Sequence, residues 1–144
     1  MYIKYKNNPL NIRYEGRSQW LGLSGCDNGF CTFTDLKYGI RAVAYLLMKS
    51  YRKAGCYTIS QIIHRFAPIS ENPTQNYINY LCMCLNVKSD YVPMSVSNYA
   101  ALIHYMWKFE QGTKDVYPTR WIFDVINEFN IKPYARSKAK PLTK

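Results

Sequence analysis

Five stretches of this chain pair an apolar stripe at helical spacing with a start or stop signal, and that punctuation limits the fold more than any other feature. Thr34 or Asp35 is placed to cap a helix reaching Ala54, with Leu36, Ile40, Val43, Ala44 and Leu47 on one stripe and Gly55 at the left-handed end. Thr58 opens a shorter segment carrying Ile59, Ile62, Ile63 and Phe66, which Pro68 halts. Thr74 is placed to cap a third helix carrying Tyr77, Ile78, Leu81 and Leu85. Ser95 or Ser97 begins a segment running through Ala101, Ile103 and Trp107 to Phe109, with Gly112 close behind. Pro118 fits the first turn of a fifth helix bearing Trp121, Ile122, Val125, Ile126 and Phe129.

The first third reads differently. Asn11 to Tyr14, Trp20 to Gly22 and Phe30 to Phe33 are short apolar or aromatic runs separated by EGRS and SGCDNG, both rich in turn residues. Three such runs predict a small antiparallel sheet that is stable only against helices. The expected class is α+β, mainly α: about five helices and one small sheet near the N-terminus, in one domain over residues 1–131. Lys132, Arg136, Lys138, Lys140 and Lys144 make residues 132–144 a basic, solvated tail in this reading.

A chain of 144 residues suits one such domain and needs no disulfide or metal to close its core. No apolar run approaches the roughly 20 residues of a spanning helix, and MYIKYKNNPLNIRY has no apolar signal core. Five cysteines, an odd number without a signal segment, point to reduced thiols and synthesis in a cytoplasm. Their C-x4-C and C-x-C spacings, with His64 and His104 matching no ligand pattern, suit no zinc site, so neither metal nor cofactor is expected. Cys82 and Cys84 read as space-filling groups on or near a helix's buried side. A formal charge of +10 favours polyanionic partners, whether nucleic acid, anionic membrane or cell wall, without choosing among them.

Nine carboxylates allow each to be weighed. Glu15, Asp90, Asp115, Asp124 and Glu128 read as turn, cap or solvated-face residues. Glu110 ends the apolar, aromatic stretch AALIHYMWKF just before Gly112. Placed among Trp107, Phe109 and Tyr105, it would be partly desolvated and hold its proton near neutrality, as a general acid for glycosidic cleavage must. Glu71, in SENPT, is a second candidate. Asp27 and Asp35 flank GFCTF and could face a cleft, although each suits a turn or cap first. Aromatics, 16% of the chain, suit a sugar cleft or stacked single strands, and core packing explains most of them more simply. No phosphate loop, H-E-x-x-H or G-x-S-x-G motif is present, and nothing local supports a Cys–His pair.

Several motifs recur in a familiar order. NNPLNIRY, WLG, GFCTF, LKYGIRAVAYLL and TISQIIHRFAPISENPTQNYI, over about residues 7–78, resemble a family of small phage and prophage proteins described as virion structural proteins or peptidoglycan hydrolases. That family's pattern is N-N-P-G-N-I-R, W-x-G, G-F-A-x-F, G-I-R-A and R-W-A-P-P-x-E-N-x-T. Here Leu10, Phe66 and Ile69 replace its glycine, tryptophan and proline. ALIHYMWKFEQGTKDVYP resembles the family's H-E-N-G-x-x-P-Y ending, with Phe109 and Gln111 in place of His and Asn. It is also similar to the helix ending in Glu-Ser-Gly of goose-type lysozymes and lytic transglycosylases. In those enzymes, and in bacterial glucosaminidases, a segment like NIRY…WLG…F follows that helix rather than preceding it, as a circular permutation would explain.

The resemblance implies a lysozyme-like fold and a cell-wall glycan substrate, and it gives Glu110 the acid role. Glu71, Asp27 or Asp35 would position water if water is used. Asn11, Arg13, Asp27, Gln75 and Trp107 are the expected substrate contacts. Action at the wall would follow lysis or delivery by a virion. Two other readings stay open: an inactive virion or interaction protein of the same fold, and a nucleic-acid module, which charge and aromatics alone support.

Overall fold

The computed structural model describes residues 1–16, 19–70 and 73–135. Two strands and five helices follow in chain order: β1 (Leu23–Asp27), β2 (Phe30–Phe33), α1 (Leu36–Tyr45), α2 (Ile59–Phe66), α3 (Thr74–Leu85), α4 (Val96–Gln111) and α5 (Thr119–Glu128). This is a mainly helical α+β fold with its small antiparallel sheet near the N-terminus, as the sequence predicts.

The caps explain the helix boundaries. Asp35 accepts from the Lys37 amide at 2.9 Å, while Thr58 and Ser95 each form a capping box, with Gln61 and Asn98. Gly55 and Gly112 take left-handed φ values of 86° and 61°. Pro118 precedes the first turn of α5. Thr74 differs from expectation. It lies inside the first turn of α3, with Pro73 at the cap position, and its hydroxyl donates to the Ala67 carbonyl, tying α3 back to the end of α2.

Beyond Tyr45 the first helix widens into a π-helical segment, Leu46–Tyr51. Widened turns recur where a helix re-aims side chains. Leu46, Ser50 and Tyr51 of this segment face a cleft.

The sheet is smaller than expected. Asn28 and Gly29, both at positive φ, make the two-residue turn between β1 and β2, and Cys26 stands opposite Cys31. The Asn11–Tyr14 run contributes only an isolated bridge between Arg13 and Phe30, and Trp20–Gly22 forms a turn rather than a strand. The strand starts at Leu23 because the Asn-Gly turn sets the register, whereas the spacing had marked SGCDNG as loop throughout.

α4 is the central helix. It packs on α1, α3 and α5 and buries Tyr99, Leu102, Ile103, Met106 and Trp107. A helix apolar on most sides belongs in the middle of a domain. All five cysteines are free thiols, with Cys82 and Cys84 half-buried. The expected tail lies mostly outside the described residues, but its first part is docked: the Tyr134 amide donates to the Met48 carbonyl at 2.8 Å and Arg52 Nε donates to the Tyr134 carbonyl at 2.7 Å. Among the described residues no helix is long and apolar enough to cross a membrane, and no cluster of His, Cys, Asp and Glu could hold a metal ion.

Candidate functional site

The segment NNPLN is irregular backbone buried against helices, so its polar groups need partners from side chains. Asn8, fully buried, supplies three: its amide donates to the Ile12 and Cys31 carbonyls at 3.0 and 2.9 Å, and its oxygen accepts from the Ile12 amide at 2.9 Å. Asn7 Nδ2 donates to the Phe33 carbonyl at 2.9 Å. Gly39 of α1 lets this segment come close, because a methyl group there would collide with the Asn7 carbonyl.

The end of α4 holds the same segment from the other side. Gln111 accepts from the Lys4 amide at 3.1 Å and donates to the Pro9 carbonyl at 2.8 Å and to Asn11 Oδ1 at 3.1 Å. Asn11, in the left-handed region at φ 53°, turns its Nδ2 toward Glu110 and donates to Oε1 at 2.9 Å. A clamp between Asn11, Glu110 and Gln111 therefore joins the two motifs read separately in the sequence.

Glu110 sits half-buried in the last turn of α4. Burial pushes its carboxyl above the ordinary carboxylate value, and the Asn11 donor and the Tyr77 hydroxyl pull it partly back. Tyr77 is raised in turn, first by its own burial and then by the neighbouring Glu110 charge. The Tyr77 hydroxyl falls short of a well-formed hydrogen bond to that carboxyl, so proximity describes the contact better than bonding. Phe109 stacks on Tyr77, with ring centroids 4.0 Å apart, and packs against Tyr80.

Glu110 opens on a cleft of about 620 Å³. That volume falls within the range of small-molecule and oligosaccharide sites. Asn11, Arg13 and Glu15 line it from the N-terminal segment, and Arg65 and Phe66 from the end of α2. Tyr5 stacks on Phe30 at 4.4 Å, and the Arg13 guanidinium lies over the Phe30 ring, 5.1 Å from its centroid. Trp20 lines the cleft too and meets Tyr45 edge-on at 6.2 Å.

Of the residues expected from sequence, Glu110, Asn11 and Arg13 come together here. Asp27 is exposed near the hairpin tip and is absent from the cleft lining. Asp35 is occupied as the α1 cap. Gln75 is exposed on α3, bonded to Asn79 at 2.9 Å. Trp107 has no exposed surface and can touch no ligand: the stripe that carries it faces the core between α4 and α5. Glu71 lies outside the described residues.

Glu15 is the residue that the reading by turn propensity passed over. Arg13 and Glu15 stand two positions apart, the spacing that sets side chains on one side of an extended segment. That spacing was the available signal. Glu15 itself is exposed where it lines the cleft.

No family model matches the chain. Protein P5 of Pseudoalteromonas phage PM2 is 37% identical to it over 112 residues, covering 74% of this chain and 69% of that protein. At that identity and coverage, the chain belongs to the family of the phage protein P5.

Proposed function

We propose that the protein cleaves the glycan of bacterial peptidoglycan by general acid catalysis, with Glu110 as the acid. One observation carries the reading: a half-buried carboxyl, raised above its ordinary value and oriented by Asn11, opens on a cleft of about 620 Å³. A glycosidic leaving group needs a proton from an acid that holds it more tightly than an ordinary carboxyl, and burial moves Glu110 in that direction. Asn11 fixes which oxygen of the carboxyl faces the cleft. Glu15, which lines the same cleft, would serve as the second carboxylate that stabilises an oxocarbenium-like transition state or activates water. Trp20, half-buried in the cleft lining, offers an aromatic surface for the apolar side of a sugar ring. Delivery through a lytic cycle or a virion fits the kinship with a phage protein.

A second reading, a virion protein of this family without activity, draws on Phe109. In the pattern the sequence resembles, a histidine precedes the glutamate. Here an aromatic ring stacked on Tyr77 takes its place and brings no proton-carrying group beside Glu110.

Release of soluble muropeptides from purified peptidoglycan separates the two, with wild type compared to Glu110→Gln, Glu15→Gln and Glu71→Gln. The enzymatic reading expects release by wild type and its loss with Glu110→Gln. Mass analysis of the products names the bond and tells hydrolysis from transglycosylation. No release from several wall types leaves the inactive virion protein as the standing reading.

A further inference from the structure

We infer that Cys26 and Cys31 are a cross-strand thiol pair that closes to a disulfide under oxidising conditions and locks the β1–β2 hairpin. The pair is independent of whether the protein cuts glycan.

The backbone sets the geometry. Cys26 stands directly opposite Cys31 in the antiparallel ladder, one step from the Asn28–Gly29 turn that fixes the register. The Cys31 amide donates to the Ile12 carbonyl at 2.9 Å, and its carbonyl accepts from Asn8 Nδ2 at 2.9 Å. Both groups therefore face the N-terminal segment rather than β1. Cys26 and Cys31 are thus a non-hydrogen-bonded pair, where facing Cα atoms come within about 4.5 Å and side chains approach most closely. That spacing lies inside the range a disulfide spans. On the same two strands the Ser24 and Thr32 hydroxyls already meet at 2.8 Å, so facing side chains do touch across this hairpin. The other thiols have no such arrangement. Cys82 and Cys84 stand two positions apart on α3 and point in different directions, and Cys56 lies outside the sheet.

Access orders the chemistry. Cys26 is exposed near the hairpin tip, whereas Cys31 has no exposed surface. Burial pushes the Cys31 thiol up to about 11, with Cys26 beside it as the next cause, so little thiolate forms there for a first attack. With a small-molecule disulfide as oxidant, the Cys26 thiolate attacks one of its sulfurs, forms a mixed disulfide and releases one small thiol. The Cys31 sulfur then gives up its proton and attacks the Cys26 sulfur, and the second small thiol departs. Two protein thiols are oxidised to one disulfide, the reagent is reduced to two thiols, and those thiols carry away both protons. The closing step is intramolecular, which offsets the scarcity of Cys31 thiolate.

The lock falls where the ladder is weakest. β1 holds Ser, Gly and Asp, poor strand formers, and a two-stranded sheet is marginal by itself. β2 also carries Phe30, whose ring stacks on Tyr5 in the cleft lining, so the bond steadies the strand behind that stack.

The test is incubation of the folded full-length protein with oxidised glutathione, followed by intact mass and peptide mapping. Wild type is expected to lose two hydrogens and to yield one linked pair, Cys26 with Cys31. Cys31→Ala should stop at a mixed disulfide on Cys26, and Cys26→Ser should leave Cys31 unmodified. The oxidised wild type should unfold roughly 5 °C above its reduced form, as expected for a short closed loop. A mixed disulfide that persists on Cys26 in wild type, a link to Cys56, Cys82 or Cys84 instead, no reaction, or an oxidised form no more stable than the reduced one would each overturn the inference. Mapping of wild type decides the pairing by itself if Cys31→Ala, which empties a buried site, fails to fold.

Discussion

His104 and Glu110 stand less than two turns apart on α4, and both are ionisable groups drawn largely out of water. Their surroundings differ in kind. His104 faces the seam between α4 and α5, where Nδ1 meets the Tyr117 carbonyl at 3.0 Å and the fully buried Trp107 packs on Tyr117 and Trp121. Glu110 is buried on one side only, held by Asn11 and open to the cleft on the other. The seam closes over Trp107, which keeps no exposed surface. The helix end leaves a costly group facing space. Burial of a titratable side chain therefore marks a candidate site only where an open volume adjoins it.

The largest expected effect separates the two regions outright. Glu110→Gln should lower muropeptide release by about 10²- to 10⁴-fold, the usual worth of a general acid, while leaving the fold intact. It should also leave the protein at least as stable as wild type near neutral pH, because glutamine occupies the same place without the cost of burying a charge. Urea unfolding beside the activity assay reads both, and a destabilised Glu110→Gln would break the contrast.

Trp107→Ala should act in the opposite way. Removing a fully buried indole costs about 3–5 kcal/mol in urea unfolding. Trp107→Phe should cost much less, since it also removes an indole N–H that finds no partner. Activity per folded molecule should survive the Phe change. Its loss would tie Trp107 to the site after all.

The pH dependence of stability should run in opposite directions for the two groups. Burial, helped by the Lys108 charge, lowers His104 from its ordinary value near 6.5, so the unfolded chain binds the proton more readily. Its contribution to stability is full above about 6.5 and falls as the pH drops through that value toward the lowered one. His104→Asn should flatten this acid-side loss in pH-dependent unfolding. Glu110 is raised, so the folded chain holds its proton longer, and stability falls as the pH climbs from the ordinary carboxylate value to the raised one. The gap between Glu110→Gln and wild type should open over that interval and then stay constant.

The smallest effect sharpens the site itself. Asn11→Ala removes the donor that favours the charged carboxyl, so Glu110 should rise further. Activity that depends on protonated Glu110 declines as pH rises, and this basic limb should move to higher pH in the variant. A limb that stays in place would show that Asn11 does not act through Glu110.

Much of the fold was legible because helix signals are local. Asp35, Thr58, Ser95, Gly55 and Gly112 act on backbone groups within a turn of themselves, so their positions in sequence are their positions in structure. β1 was not legible in the same way. Leu23–Asp27 holds Ser, Gly and Asp, poor strand formers, and pairs because the Asn28–Gly29 turn delivers it to β2. The site was legible in part. Glu110, Asn11 and Arg13 stood out as motif residues, but Trp107 and Glu15 exchanged roles: the aromatic expected in the cleft is core, and the carboxylate expected in a turn lines the cleft.

The sequence by itself determined which segments are helical, where they stop, and that Glu110 would end an apolar helix, since each follows from periodicity and caps a few residues long. Only the tertiary structure decided that Asn11 reaches Glu110 across the chain, that Gln111 anchors the N-terminal segment, and which side of α4 is sealed by α5 and which opens on the cleft. The reason is physical. Whether a buried face meets protein or open volume depends on elements far away in sequence, and local spacing carries no record of them.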